Sequence, residues 1–234
     1  MRSVLGTVCL AAAVLLLGQN GMAQTNASAG NIGVVQAMQE QYRSVDSFQA
    51  DFVQQLTNAA SGDQQTRNGT IAFKKPQYIR WVTNQPEKEI LVVTEDTVWD
   101  YIPAEEVAYK YTLREKFRSK TMLEFISGRV SLKDDFSLTN QGVDQANGWI
   151  KVKLVPKEPE PKLVLAYVWI EKDSDRLRQV LLVDFWGNGN QLTFNNIEYD
   201  PGLGTAMFSF EPPEGVQVMT NPQGSAGQTN SIDQ

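Results

Sequence analysis

The chain has 234 residues, 41% apolar and 21% charged, with a net charge of −6, one Cys and no His. That length suits one large domain or two small ones, and the charged fraction is too ordinary for a disordered chain. The acidic balance argues against nucleic acid or anionic lipid surfaces as partners, and the lack of His excludes His triads, His metal sites and imidazole proton shuttles.

The first segment reads as an address. Arg2 supplies a positive start, Val4 to Leu17 is an apolar run of 14 residues, and Gly21-Met22-Ala23 is a small-x-small cleavage signature. Residues 1–23 are therefore expected to be a secretory signal peptide, since the run is too short for a spanning helix. A buried N-terminal helix is the weaker alternative. Cys9 lies inside the run behind Val8, where a lipidated Cys needs a small neighbour. It is expected to leave with the signal, so the exported chain has no disulfide and no thiolate nucleophile.

Gln24 to Asn31 reads as a polar leader. Ile32, Val35, Met38, Tyr42 and Val45 then recur at helical spacing, with Asn31 a suitable N-cap. From Phe48 the period changes to two: Phe48, Ala50, Phe52 and Leu56 alternate with mainly polar residues. Asn68-Gly69 signals a turn that opens a second strand through Ile71 and Phe73, and Lys75-Pro76 ends it. Strands are predicted at Tyr78 to Val82, Glu89 to Thr94, Val98 to Ile102 and Val107 to Tyr111. A second helix is expected around Thr121 to Ser127, stopped at Gly128. Further strands are predicted at Phe136 to Leu138, Trp149 to Val155, Leu163 to Glu171, Leu177 to Trp186, Gln191 to Tyr199 and Met207 to Phe210. No repeat or composition break divides the chain. The expected organisation is one domain over residues 24–220 and a disordered polar tail over 221–234.

Sequential strands with short turns imply a meandering antiparallel sheet, which normally alternates apolar and polar faces. Several strands do not alternate. Tyr78 to Val82, Ile90 to Val93, Val98 to Ile102 and Val180 to Trp186 are largely apolar on both parities, so both faces need cover. A closed barrel or sandwich meets that need. So does an incomplete barrel whose apolar cavity the helices lid, and the aromatic residues, which all follow the signal segment, suit such a wall.

Catalytic equipment is sparse. There is no G-x-S-x-G elbow and no Walker loop, and Gly187-Asn188-Gly189 is too short for a dinucleotide fingerprint. Glu105-Glu106, Asp134-Asp135 and Asp173/Asp175 sit among turn residues and read as solvated loop carboxylates rather than a glycosidase pair or a calcium site. The chain is expected to be no enzyme, with no catalytic residue, metal or cofactor.

From Phe48-x-Ala50-x-Phe52-x-Gln54 onward the sequence resembles the LolA family of periplasmic lipoprotein carriers. The resemblance runs through Gly69-Thr-Ile-Ala-Phe-Lys-Lys75-Pro76-Gln-Tyr-Ile-Arg-Trp81, Gln85-Pro86, Ile90-Leu91-Val92 and Val98-Trp99-x-Tyr101-x-Pro103. It returns in Thr121-Met122-Leu123 and closes with Phe208-Ser-Phe210-Glu-Pro212-Pro213-Glu-Gly215-Val216-x-Val218. It spans roughly residues 32–218, and its specificity lies in the ordered series rather than in any one motif.

What the resemblance implies is a mainly β (α+β) fold: an unclosed, curved antiparallel half-barrel with helices forming a lid over an apolar cavity. The implied function is to bind the acyl chains of lipoproteins released from the inner membrane and deliver them to the outer membrane. The implied partners are acylated lipoproteins, an inner-membrane ABC transporter complex and an outer-membrane receptor. A periplasmic location and a monomer are expected. The same half-barrel serving as a periplasmic sensor or regulator of lipoproteins or lipid is the alternative. The family holds its lid with an Arg before the motif Pro. Here that place is Lys75, which keeps the charge without the planar fork of Arg, and Arg80 is a second closure candidate. Phe52, Ile79, Trp81, Leu91, Trp99 and Tyr101 are assigned to the acyl-chain cavity, with Met122, Leu123, Phe125 and Ile126 on the inner side of the lid.

Overall fold

A computed structural model describes residues 23–112, Met122, Phe125 and residues 130–220. The expected signal peptide through residue 22, Leu123, Ile126 and the polar tail lie outside the described residues. Helix α1 spans Ala23–Ser44. It begins well before the expected start at Asn31, because Gln24 to Gly30 contains no Pro and its alanines are strong helix formers. Twelve strands follow among the described residues: β1 Ser47–Thr57, β2 Gln64–Lys74, β3 Tyr78–Gln85, β4 Glu89–Val93, β5 Thr97–Ile102, β6 Val107–Thr112, β7 Phe136–Val143, β8 Ile150–Pro156, β9 Leu165–Ile170, β10 Leu177–Val183, β11 Gly189–Tyr199 and β12 Gln217–Thr220. A one-turn helix α2, Leu132–Asp135, precedes β7 and is capped by the Ser131 side chain.

All twelve strands form one sheet in the order β12-β6-β5-β4-β3-β2-β1-β11-β10-β9-β8-β7. The sheet is unclosed, with β12 and β7 at its two ends. The long strands β1 and β11 pair at its middle and join the two halves. Pairing is antiparallel throughout except at the end, where β12 runs parallel to β6. That parallel strand departs from the all-antiparallel meander expected from the sequence.

Cross-strand partners share a face, so the register sorts the side chains. Phe48 faces Phe73, Phe73 faces Ile79, Ile79 faces Val93, and Val93 faces Val98. The next row runs Ala50, Ile71, Trp81, Leu91. On the other half Leu192, Val180, Val168 and Val152 lie in line. These rows belong to one buried cluster that also takes Val35 and Met38 of α1. The helix therefore packs on the concave side.

The opposite face of β2–β6 has its own cover, which accounts for the two-sided apolar strands. After β11 the chain turns at Asp200, with φ of 49°, and crosses the back of the sheet. Phe208 is buried there with Leu203 and Ala72 and packs on Tyr78 at 5.7 Å. Phe210 sits 5.5 Å from Trp99 and 5.4 Å from Tyr101, ring centre to ring centre. The strand expected at Met207 to Phe210 is instead a 3-10 turn, Thr205–Phe208, followed by extended chain. The strand expected to reach Trp186 stops at Val183, because the Asp184 carboxylate takes the Trp186 and Asn188 backbone N–H groups and turns the chain.

Candidate functional site

The last carbonyls of a helix lack intrahelical partners and attract cations. Here the Lys75 ammonium donates to the Arg43 carbonyl at 2.5 Å. The Asp46 carboxylate lies 4.0 Å from the same nitrogen. The backbone around this contact is tied down from three directions. Lys75 N–H donates to the Asp46 carbonyl at 2.8 Å. The Asp200 carboxylate accepts the Asp46 and Ser47 N–H groups at 2.8 and 2.9 Å. Lys75 therefore links the end of β2 to the end of α1 across the concave side.

Beneath that link lies a cavity of about 100 Å³. Met38, Gln39, Tyr42 and Arg43 of α1 form one wall. Phe73, Lys75, Val168 and Leu177 of the sheet form another, and Phe125, Val130 and Leu132 also line it. Gln39 donates to the Val130 carbonyl at 3.2 Å, which fastens α1 to the segment leading into α2. Tyr42 packs edge-on against Phe48 at 5.6 Å. Burial, with Tyr199 nearby, pushes the Tyr42 phenol far above its ordinary pKa. The described walls are mostly alkyl and aromatic, which suits an apolar guest.

On β1–β4 the concave rows are apolar only over part of their length. Phe48, Ala50 and Phe52 on β1 give way to Gln54, and Phe73, Ile71 and Gly69 on β2 give way to Arg67. Ile79 and Trp81 on β3 give way to Thr83, and Val93 and Leu91 on β4 give way to Glu89. The four polar residues meet. Gln54 lies opposite Arg67, Arg67 donates to Thr83 at 3.4 Å, and Arg67 pairs with Glu89. Gln54 also donates to the Asn190 side chain at 3.0 Å. Gln54, Arg67 and Thr83 are all buried.

Among the residues assigned from the sequence, Phe52, Ile79, Trp81, Leu91, Met122 and Phe125 all lie in the interior cluster. Phe52 and Trp81 touch, with ring centres 4.9 Å apart. Phe125 lines the cavity and packs on Phe136. Trp99 and Tyr101 are corrected: they face the back of the sheet against Phe210, and Val98 and Asp100 take the inward positions of β5. Arg80 is corrected in the same way. It alternates with Ile79 and Trp81, so it points outward and donates to the Met207 and Ser209 carbonyls at 3.3 and 3.4 Å, far from α1. Period-two alternation says which residues share a face but not which face is concave. Leu123 and Ile126 fall outside the described residues.

Sequence reasoning left unassigned the α1 residues Gln39, Tyr42 and Arg43, the opposite wall of Val168 and Leu177, and the polar belt. The helical stripe through Met38 and Tyr42 marks that side of α1 as buried. The pairing of Arg67 with Glu89 joins two strands that are not neighbours, which the sequence alone does not show.

A family model described as "Outer membrane lipoprotein carrier protein LolA" matches residues 43–211. An outer-membrane lipoprotein carrier protein of Methylococcus capsulatus is 30% identical over 176 residues, 75% of this chain and 82% of that protein. One of the same description from Nitrosomonas europaea is 28% identical over 173 residues, 74% of this chain and 82% of its own. Among solved structures, an uncharacterized conserved protein from Thermus thermophilus superposes with a TM-score of 0.52 at 15% identity, over 82% of this chain and 99% of its own. That likeness concerns the fold alone.

Proposed function

We propose, for a chain that belongs to the LolA family of outer-membrane lipoprotein carriers, that acyl chains are held on the concave side of the sheet beneath α1 and that Lys75 is the closing contact. The carrier role is that of the family. The placement of the cargo rests on one observation: the Lys75 bond to the Arg43 carbonyl lies over a cavity whose described walls are mostly apolar.

The magnitudes favour a covered site. Burying a methylene gains about 0.8 kcal/mol, so a chain of about 16 carbons loses on the order of 10 kcal/mol when exposed to water. A surface patch covers one side of such a chain; a lidded cavity covers all of it. The cavity is about 100 Å³, whereas pockets that enclose a drug-sized ligand are about 300–1,000 Å³. Loading therefore displaces α1 and Phe125, and Lys75 re-forms its bond or yields it according to occupancy. Phe52, Ile79, Trp81, Leu91, Met122 and Phe125 form the wall that the acyl chains meet.

The rest of the reading follows from this role. Residues 1–23 direct export to the periplasm and are removed with Cys9, residues 24–220 are the carrier domain, and 221–234 form a polar tail. Cargo arrives from an inner-membrane ABC transporter complex and leaves to an outer-membrane receptor, so the carrier works by binding and performs no chemistry of its own. Mass spectrometry of the gently purified periplasmic protein tests this reading. Triacylated lipoprotein is expected in the wild-type preparation and in smaller amount with Lys75→Leu. Wild-type preparations without any acylated species would refute it.

A further inference from the structure

Two neighbouring turns at the end of the sheet away from Lys75 carry a pair of bare aromatic rings. We infer that this tip, formed by Ala59-Ala60 of the β1–β2 turn and Phe185-Trp186 of the β10–β11 turn, is a membrane-contact site that seats in the interface of a zwitterionic lipid bilayer. The inference is independent of where the acyl chains lie. Phe185 and Trp186 are 72% and 68% exposed, more than any other large apolar side chain among the described residues. Their rings meet edge-on with centres 5.9 Å apart. At that exposure neither ring adds much to folding, and adjacent bare aromatics mark a surface that meets something apolar.

Hydrogen bonding within the tip singles out lipid. Asn58 organises the first turn. Its side-chain oxygen accepts the Ala60 and Ser61 N–H groups at 2.8 and 3.1 Å, its carbonyl accepts Gly62 N–H at 2.9 Å, and its own N–H reaches the Asp63 carbonyl at 2.9 Å. Asp184 does the same for the second turn. Its carboxylate accepts the Trp186 and Asn188 N–H groups at 2.9 and 2.8 Å, its carbonyl accepts Gly187 N–H at 3.1 Å, and its own N–H reaches the Asn188 carbonyl at 3.1 Å. The two remaining donors are also taken, Ala59 N–H by the Asn188 side chain at 3.0 Å and Phe185 N–H by the Pro161 carbonyl at 2.9 Å. Every backbone N–H from Asn58 to Gly62 and from Asp184 to Asn188 is therefore satisfied inside the protein. Lipid offers no hydrogen-bond partner, so a segment that enters it must meet this condition. A protein partner imposes no such demand, since protein interfaces carry about one hydrogen bond per 100–200 Å².

Charge selects the kind of bilayer. The Asp184 carboxylate is occupied by the turn and by the Asn188 amide. Asp63 and Lys162, the latter next to Pro161, flank the tip with opposite signs. With no excess of cations there among the described residues, and a net charge of −6 overall, anionic lipid gains nothing over neutral lipid. The rings carry the contact, and Trp favours the headgroup level of a bilayer. The tip is also remote from the closure. Strand β1 starts at Ser47, opposite Lys74, and ends at Thr57, opposite Gln64 and Gly189. That is about 33 Å at about 3.3 Å per residue. A carrier seated on this tip keeps Lys75 clear of the lipid.

The test is vesicle flotation. Protein purified from the periplasm is titrated with phosphatidylcholine vesicles at about 0.05 M and about 0.5 M NaCl, which brackets strong and weak screening. Wild type is expected to bind equally at both. F185S/W186S, with its fold checked by circular dichroism, is expected to bind about 100-fold more weakly, about tenfold for each ring lost. Wild type that stays off protein-free vesicles overturns the site. A double variant that binds as tightly as wild type overturns the assignment to these rings. Binding that disappears at the higher salt overturns apolar seating in favour of electrostatic attachment. Wild type that binds only membranes carrying their native proteins, or that pairs with itself through Trp186 in sedimentation, replaces lipid with a protein as the occupant and also overturns the proposal.

Discussion

Lys75 and Arg43, 32 positions apart, meet through a single bond from ammonium to helix-terminal carbonyl at 2.5 Å. The bond joins α1 to the sheet at the rim of the cavity. Its donor is partly exposed, which keeps its net worth near about 1 kcal/mol. That is a useful size for a latch, since a contact of this strength shifts an open–closed balance about fivefold without locking it. Lys75→Leu is expected to raise the hydrogen exchange of the last α1 amides about fivefold and to shorten the retention of bound lipoprotein. Lys75→Arg is expected to restore both. Unchanged exchange in Lys75→Leu would show that α1 is held by its apolar face alone.

Gly69 is required by space. An added Cβ would meet the Val82 carbonyl oxygen at 1.8 Å and its carbon at 2.9 Å, and both are backbone atoms with little freedom to yield. Gly69→Ala is therefore expected to destabilise the fold by about 1–3 kcal/mol, the usual range for overpacking. Urea unfolding followed by tryptophan fluorescence measures it. A midpoint equal to wild type would mean that β2 and β3 separate freely there.

The cover on the back of the sheet depends on Phe208, 1% exposed against Ala72, Leu203 and Tyr78. Phe208→Ala is expected to cost about 3–5 kcal/mol, as aromatic truncations in cores do. Because Phe208 faces away from the cavity, fatty-acid affinity measured well below the melting temperature should stay within about twofold. A large loss of affinity with the fold intact would place the strap in the binding cycle.

The buried phenols predict how stability falls at high pH. Burial raises Tyr42 and Tyr199, and burial with Asp100 raises Tyr111. A tyrosine in the unfolded chain releases its proton near about pH 10, while the folded protein keeps it. The unfolded state then binds fewer protons, so stability is complete below that pH and declines as pH rises through it. Tyr42→Phe is expected to make the decline between about pH 10 and 12 shallower, with Tyr111 and Tyr199 supplying what remains. Thermal melting across that range measures it. An identical slope in the variant would contradict the assignment to Tyr42.

The interior was legible where period-two patterns were strong. Phe52, Ile79, Trp81 and Leu91 sit on inward positions because each falls in phase with its neighbours on strands whose register the turns fix. The same rule misplaced Trp99 and Tyr101. They share a face with each other, as parity requires, but that face is the outer one, since Val92 pairs with Trp99 and alternates with Leu91. Arg80 fails for the same reason: a residue between two inward ones must point out.

The sequence by itself determined the family, the mainly β character, the long α1 stripe and Lys75 at the end of β2, because these rest on local order and spacing along the chain. Tertiary structure alone decided three things. It turned the closing Phe208-x-Phe210 segment into a strap across the back of the sheet. It set Lys75 against the Arg43 carbonyl. It also brought Arg67 of β2 to Glu89 of β4 across the intervening strand. The physical reason is common to all three. Each depends on register between strands, or on the docking of a segment far away in sequence, and hydrophobic periodicity carries no information about either.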